Sequence, residues 1–230
     1  MQRPTDRPDR RLLVGVAALV LLLSGACDGG ADAPTTDQPP VAAGAAEEPA
    51  DATAAEVAAG FVEAFGDFDA DRAIAYLADD ADLSGIDQGE GTQGLRSLLS
   101  LLEAQGYKQM LDSCEELVSS ASDTNLRCTF DFHGIRSDKI GLGPYSGSYF
   151  DLTLRDGQIV RVSLYWETEE FSPQMWEPFA AWVSTTYPED GAVMYQSGYT
   201  NWQLTKESIR LWERHSREYA QEVSSTAEVE

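Results

Sequence analysis

The sequence predicts an α+β fold in which helices come first, antiparallel strands follow, and a helical extension closes the chain. Three observations predict it. Apolar residues recur at helical spacing between Val57 and Leu102, the period changes to two between Lys108 and Glu167, and aromatic-rich helical segments follow from Phe171. A length of 230 residues with 43% hydrophobic and 10% aromatic content is enough for one domain with a sizeable core, plus extras.

The first helix is carried by Val57, Phe61, Val62 and Phe65. After the polar break Asp67 to Asp71, a second short helix runs through Ala73, Ile74 and Leu77, and Gln93 to Gln105 is a third, with Leu95, Leu98, Leu99 and Leu102 on one face. The acidic run Asp79-Asp80-Ala81-Asp82 between them reads as a solvated loop. Strands are expected over Lys108 to Val118, Leu126 to His133, Ser148 to Arg155 and Gln158 to Glu167, because each alternates. Asp156-Gly157 between the last two is a two-residue hairpin signal, so these strands pair antiparallel.

Cys114 and Cys128 flank a Ser-rich turn, Ser119 to Asn125, that would centre on Ala121 if the two cysteines stood opposite one another. In such a register they could form a disulfide; two buried free thiols are the competing reading. There is no C-x-x-C spacing and there are only two histidines, so no metal site and no cofactor is expected. Gly141-Leu142-Gly143-Pro144 lacks the lysine and the following helix of a phosphate loop and reads as a connection.

The extension begins with Phe171 to Tyr187, where Trp176, Phe179, Trp182 and Val183 are apolar and Pro173 and Pro178 are placed to start helices. Thr205 caps a last helix, Lys206 to Val223, with Ile209, Trp212 and Tyr219 as its apolar stripe. His215, beside Arg214 and Arg217, reads as a surface residue of that helix. The aromatics should pack on the same domain, or else form a partner surface.

Phe61 to Leu77 (FVEAFGDFDADRAIAYL), Gly91 to Leu99 (GTQGLRSLL) and Asp156 to Tyr165 (DGQIVRVSLY) resemble the NTF2-like (SnoaL-like) family. The resemblance covers residues 54 to 167. It implies a cone, a curved antiparallel sheet wrapped on the N-terminal helices, and leaves function open because the family holds enzymes and binding domains alike. Strand parity then sorts the faces. Leu126, Cys128, Phe130 and Phe132 share one side, as do Phe150, Leu152 and Leu154, and Val160, Val162, Leu164 and Trp166. The resemblance puts the helix side inside, so candidate ligand contacts are Phe61, Phe65, Phe130, Phe132, Phe150, Leu152, Val162, Leu164 and Trp166. The other side carries Arg127, Asp131, His133, Tyr149, Asp151, Arg161, Tyr165 and Glu167.

Isomerases of this family use a first-helix tyrosine and carboxylates within the cone, whereas Phe61 and Phe65 stand on the first helix here. The expected function is therefore non-catalytic binding of an apolar small molecule or a protein partner, with a homodimer left open. The alternative is an isomerase or dehydratase using Asp131, His133 and Asp151 near Arg161, which requires the opposite face assignment. Asp82 could supply a base only if it left its acidic loop.

The N-terminal segment predicts where the domain works. Arg3, Arg7, Arg10 and Arg11 precede an apolar run, Leu12 to Leu23, too short to span an approximately 30 Å hydrocarbon core. Ser24-Gly25-Ala26-Cys27 resembles the bacterial lipobox, with Ser24 where an aliphatic residue is usual. Residues 1–26 are then a lipoprotein signal peptide, Cys27 carries lipid, 27–53 is a disordered tether, 54–167 the domain, 168–223 the extension and 224–230 a disordered tail. The protein would be lipid-anchored to the cell membrane on its extracytoplasmic face; ordinary secretory cleavage is the competing reading. Losing residues 1–26 removes four arginines and two aspartates, leaving 12 basic and 37 acidic residues. Such a surface repels phosphate backbones, which argues against a nucleic-acid partner. Mass spectrometry of the protein drawn from its own membrane should find a chain that begins at Cys27 and bears lipid; an unmodified chain with another start would establish the secretory reading instead.

Overall fold

The first helix opens at a cap. Thr53 Oγ1 accepts from the Glu56 N–H at 3.3 Å while Glu56 Oε2 accepts from the Thr53 N–H at 2.7 Å, a reciprocal capping box that opens α1 (Ala54–Gly66). Thr53 thus belongs to the domain and not to the tether. The computed structural model describes residues 52–86, 90–120, 122–196 and 201–227. The expected signal peptide, Cys27, the tether up to residue 51, Ala121 and residues 228–230 lie outside the described residues.

The described residues continue through α2 (Ala70–Ala75), β1 (Leu77–Gly85), α3 (Gly91–Ala104), β2 (Lys108–Ser119), β3 (Thr124–His133), β4 (Tyr145–Arg155) and β5 (Gln158–Tyr165). The fold is α+β as expected, a curved five-stranded sheet in the order β1-β5-β4-β3-β2 with α1 laid across its inner face. β2 through β5 form an antiparallel meander. At its last turn Asp156 and Gly157 have φ of 51° and 79°, and Arg155 pairs with Gln158. Positive φ at both central residues makes this the primed turn whose twist matches the strands.

Two expectations about the sheet are corrected. The acidic run is not a loop but β1, which pairs in parallel with β5 from Leu77 opposite Ile159 to Gly85 opposite Ser163. Aspartates are depleted in strands, and two register shifts break the alternation, so the pattern is hidden. The strand survives because it is an edge: Leu77 and Leu83 turn inward while the carboxylates stay in solvent. In β5 the register also shifts, so Ile159, opposite Leu154, is fully buried and Val160 is only half-buried. Parity had put Val160 on the inner face.

The extension holds a π-helical turn (Ser172–Trp176), α4 (Glu177–Thr186), α5 (Pro188–Met194) and α6 (Lys206–Ala227). Pro178 has no N–H and its ring excludes the carbonyl four residues back, so the turn before it widens, with the Glu177 N–H donating to Ser172 O. α6 runs four residues past the Val223 end expected from sequence. His215 is not on the surface. Its side chain is fully buried, with Nε2 2.9 Å from Asp190 Oδ2 and Nδ1 2.9 Å from Glu218 Oε2, and the Tyr187 ring lies 4.3 Å away. It fastens α6 to α5, a task for which its polar helical neighbours gave no cue. No helix of the described residues is long and apolar enough to cross a membrane.

Cys114 stands opposite Cys128 and the two are joined as a disulfide, with Cα atoms 4.0 Å apart. The bond closes a loop of about 15 residues, for which chain entropy gives about 3 kcal/mol. Replacing both cysteines with alanine should lower the unfolding free energy in urea by about that amount, and the melting temperature should fall by about 6 to 12 °C. An unchanged urea midpoint would show that the hairpin is already ordered in the unfolded chain.

Candidate functional site

The expected ligand contacts divide into two groups. Phe61 and Phe65 of α1 meet Phe150 of β4 edge-on, with ring centroids 5.9 and 5.0 Å apart, and Phe130 lies 5.3 Å from Phe150 on the other side. Leu152 and Val162 are fully buried beside them, and Leu164 packs against the same cluster. These seven side chains fill the middle of the cone. The open space lies at its mouth, in a cleft of about 340 Å³ to which Phe132 and Trp166 alone of the nine contribute.

One wall of that cleft is made by the way α3 stops. The Tyr107 N–H donates to Leu102 O and the Gly106 N–H to Glu103 O, both at 2.9 Å, which is the paired pattern of a Schellman end. Gly106 takes φ of +73°, and a Cβ there would lie 2.6 Å from Arg136 Cγ, so only glycine fits. The stop sets Leu102, Gln105 and Tyr107 side by side in the cleft wall. Arg136 ties this end of α3 to the extension: its guanidinium donates to Ala104 O at 3.1 Å and to Ser216 Oγ at 3.2 Å.

The opposite wall is aromatic. Phe132 packs 5.2 Å from both Trp166 and Phe171, Trp166 lies 5.3 Å from Tyr107, and Trp176 and Trp202 stand 5.8 Å apart. Phe171, Trp176 and Trp202 all come from the extension, so the cleft exists only because that segment folds back over the cone mouth. Among the described residues none of the lining side chains is charged. The buried Tyr107 hydroxyl donates to Gln109 Oε1 at 2.9 Å, and burial lifts its pKa well above the ordinary tyrosine value, so it stays neutral.

The residues proposed for acid-base chemistry are placed on the other side of the sheet and apart from one another. Asp151 is held by Arg127 through two bonds of 2.8 Å, with the Arg127 guanidinium 3.7 Å above the Tyr149 ring. Asp131 stands four residues further along β3, about 13 Å away at ordinary strand rise. His133 Nδ1 lies 3.1 Å from both Leu142 O and Ser137 Oγ, so it pins the loop before β4. Arg161 reaches Asp82 at 3.2 Å, away from Asp131 and His133. The Ser84 hydroxyl and N–H, together with Arg161, hold the Asp82 carboxyl below the usual aspartate range.

No protein-family model matches the sequence, and no curated protein sequence does. Among solved structures the chain is similar to a candidate polyketide cyclase from Xanthomonas campestris pv. campestris, with 23% identity over 51% of this chain and 93% of that one and a TM-score of 0.38. A candidate polyketide cyclase from Pseudomonas putida gives 22% identity over 54% and 98%, with a TM-score of 0.37. An NTF2-like protein of unknown function from Cytophaga hutchinsonii gives 12% over 50% and 91%, with a TM-score of 0.34.

Gln105, Tyr107, Phe171 and Trp202 were not picked out as site residues from the sequence. Gly106 directly after an amphipathic helix was the available signal for the first two, since a helix stop turns the residues around it inward.

The ion pairs outside the cone give the protein an acid-sensitive part of its stability. Asp138 is partly buried, which alone would raise its pKa, but Lys108 at 2.6 Å and Lys139 outweigh burial and hold it below the usual range. A depressed folded pKa contributes stability above the unfolded value, about 4, and that contribution is lost as pH falls through the folded one. Asp138→Asn should therefore lower the urea midpoint at pH 7 and shrink the drop between pH 7 and pH 3; an equal drop in both proteins would remove Asp138 from the acid response.

Proposed function

We propose that this chain is a lipid-anchored, extracytoplasmic binding module whose NTF2-like domain holds an uncharged, apolar small molecule in the cleft between cone mouth and extension, without chemistry. The observation that carries the reading is the cleft itself: about 340 Å³, walled by rings and lacking charge among its described lining. Ligand pockets of about 300 to 1,000 Å³ are typically of this kind, mostly apolar with a few placed polar groups. Burying a ligand's apolar surface there gains about 25 cal/mol per Å² before the cost of immobilising it.

A protein partner on the extension draws less support. Its largest rings are spent on one another: Trp212 and Phe179 are fully buried 5.3 Å apart, with Tyr219 5.4 Å from Phe179. Catalysis at Asp131, His133 and Asp151 would need a pocket on the sheet face that α1 does not cover, and those three are engaged or separated as described.

The full chain should enhance the fluorescence of N-phenyl-1-naphthylamine saturably, at one site per chain. Thr168→Trp, which puts a large ring into the cleft wall, should abolish that enhancement at unchanged melting temperature. Both proteins are measured in the same detergent, so micelle contributions cancel. Enhancement that does not saturate, or that survives the filling substitution, would refute binding in this cleft.

A further inference from the structure

Within the aromatic cleft the most buried of the polar side chains beside Tyr107 has unused chemistry. Gln105 is only 4% exposed, yet its carboxamide has no hydrogen-bond partner among the described residues. Its neighbours in the wall are spoken for: the Tyr107 hydroxyl goes to Gln109, and the Ser172 hydroxyl to Glu177 at 3.2 Å. The residue is nearly enclosed but lines the cleft, so a molecule held there can meet both the N–H and the C=O of its amide. Gln105 is also not a loose residue, since the helix stop at Gly106 fixes its backbone.

We propose that Gln105 is a recognition residue for a planar, uncharged bicyclic lactam, a molecule presenting an N–H beside a C=O on one edge of fused rings. The inference rests on the binding function proposed above and names the ligand class for that same site. Each part of the description comes from the cleft. A glutamine amide offers an N–H donor and a carbonyl acceptor side by side, so the edge that satisfies both carries an acceptor and a donor at the same spacing. A ketone would leave the Gln105 carbonyl unpaired, and a simple alcohol would meet one group at a time. Planarity follows from the ring walls of Phe132, Trp166 and Trp176, which stack or meet edge-on with another flat ring. Size follows from the volume, since a cavity of about 150 Å³ accommodates benzene, and this cleft is somewhat more than twice as large. Neutrality follows from the uncharged lining and from a protein of net charge −23, which offers a ligand carboxylate no cation to offset its desolvation.

The probes are 2-quinolinone, which has the lactam edge, and quinoline, which has the same two rings and an acceptor alone. Isothermal titration calorimetry on the full chain should give 2-quinolinone a dissociation constant about tenfold or more below that of quinoline, from two hydrogen bonds made instead of one group left unpaired. In Gln105→Met, nearly the same shape without the amide, the preference should shrink to about twofold or less while quinoline binding is kept. Equal affinities in the wild-type protein would overturn the proposal, and that comparison stands even if the variant fails to fold. So would a preference that Gln105→Met leaves intact, which would move lactam recognition to another residue. If N-phenyl-1-naphthylamine binds and neither quinoline compound does, the lactam assignment fails and the cleft keeps its function. If none of the three binds, both fail together.

Discussion

The packing of Phe61 and Phe65 against Phe130 and Phe150 decides where this protein can hold anything. Edge-to-face and tilted rings with centroids 5.0 to 5.9 Å apart occupy the middle of the cone, and each fully buried aromatic side chain contributes about 1.5 to 3 kcal/mol by its removal from water. Because this cluster closes the deep end, the cone's open volume among the described residues lies at the rim. The same cluster fixes the crossing of α1 over β3 and β4, so the hollow could not be reopened without losing the helix that defines it. The binding proposed above is therefore placed outward, where the sheet ends and another segment has to supply the missing wall.

That wall is the extension, and it is held independently of any ligand. Trp212 and Phe179 make a second apolar centre, and buried His215 joins α5 to α6 through Asp190 and Glu218. Arg136 then couples the two parts, reaching the end of α3 on one side and Ser216 on the other. Burial of its guanidinium, with Arg217 nearby, pushes its pKa down from the ordinary arginine value. Walls tied together in this way are pre-organised, so a molecule bound as proposed would not have to order the site first.

Much of the fold could be read in advance because strand parity is a strict code. Leu126, Cys128, Phe130 and Phe132, and Phe150, Leu152 and Leu154, all turn to the inside as their alternation requires, and Asp156-Gly157 makes the turn its residues demand. The code fails where the backbone slips. At β1 two register shifts scatter the inward residues among aspartates, and at Val160 one extra residue shifts the face by a place. His215 was misread for another reason: its partners Asp190 and Glu218 are recognisable only once α5 has docked. The cleft was illegible on the same ground, since its two walls come from segments about 65 to 95 residues apart and no local pattern says that Trp176 and Trp202 will face Gln105 and Tyr107.

Charge completes the separation of tasks. Around the sheet, away from the cone interior, Asp82, Asp123 and Asp151 are each taken up by an arginine. Exposed pairs of this kind add little stability, about 0 to 1 kcal/mol each; repulsion of other anions comes from the net charge of −23 that the chain carries. The cleft, by contrast, offers rings and amides and no described formal charge. A net charge of −23 discourages anionic molecules before they arrive, and the described lining of the cleft gives them no charged partner inside. The proposed preference for uncharged ligands would then need no dedicated gate, because the surface would reject by long-range repulsion what the interior would reject by desolvation.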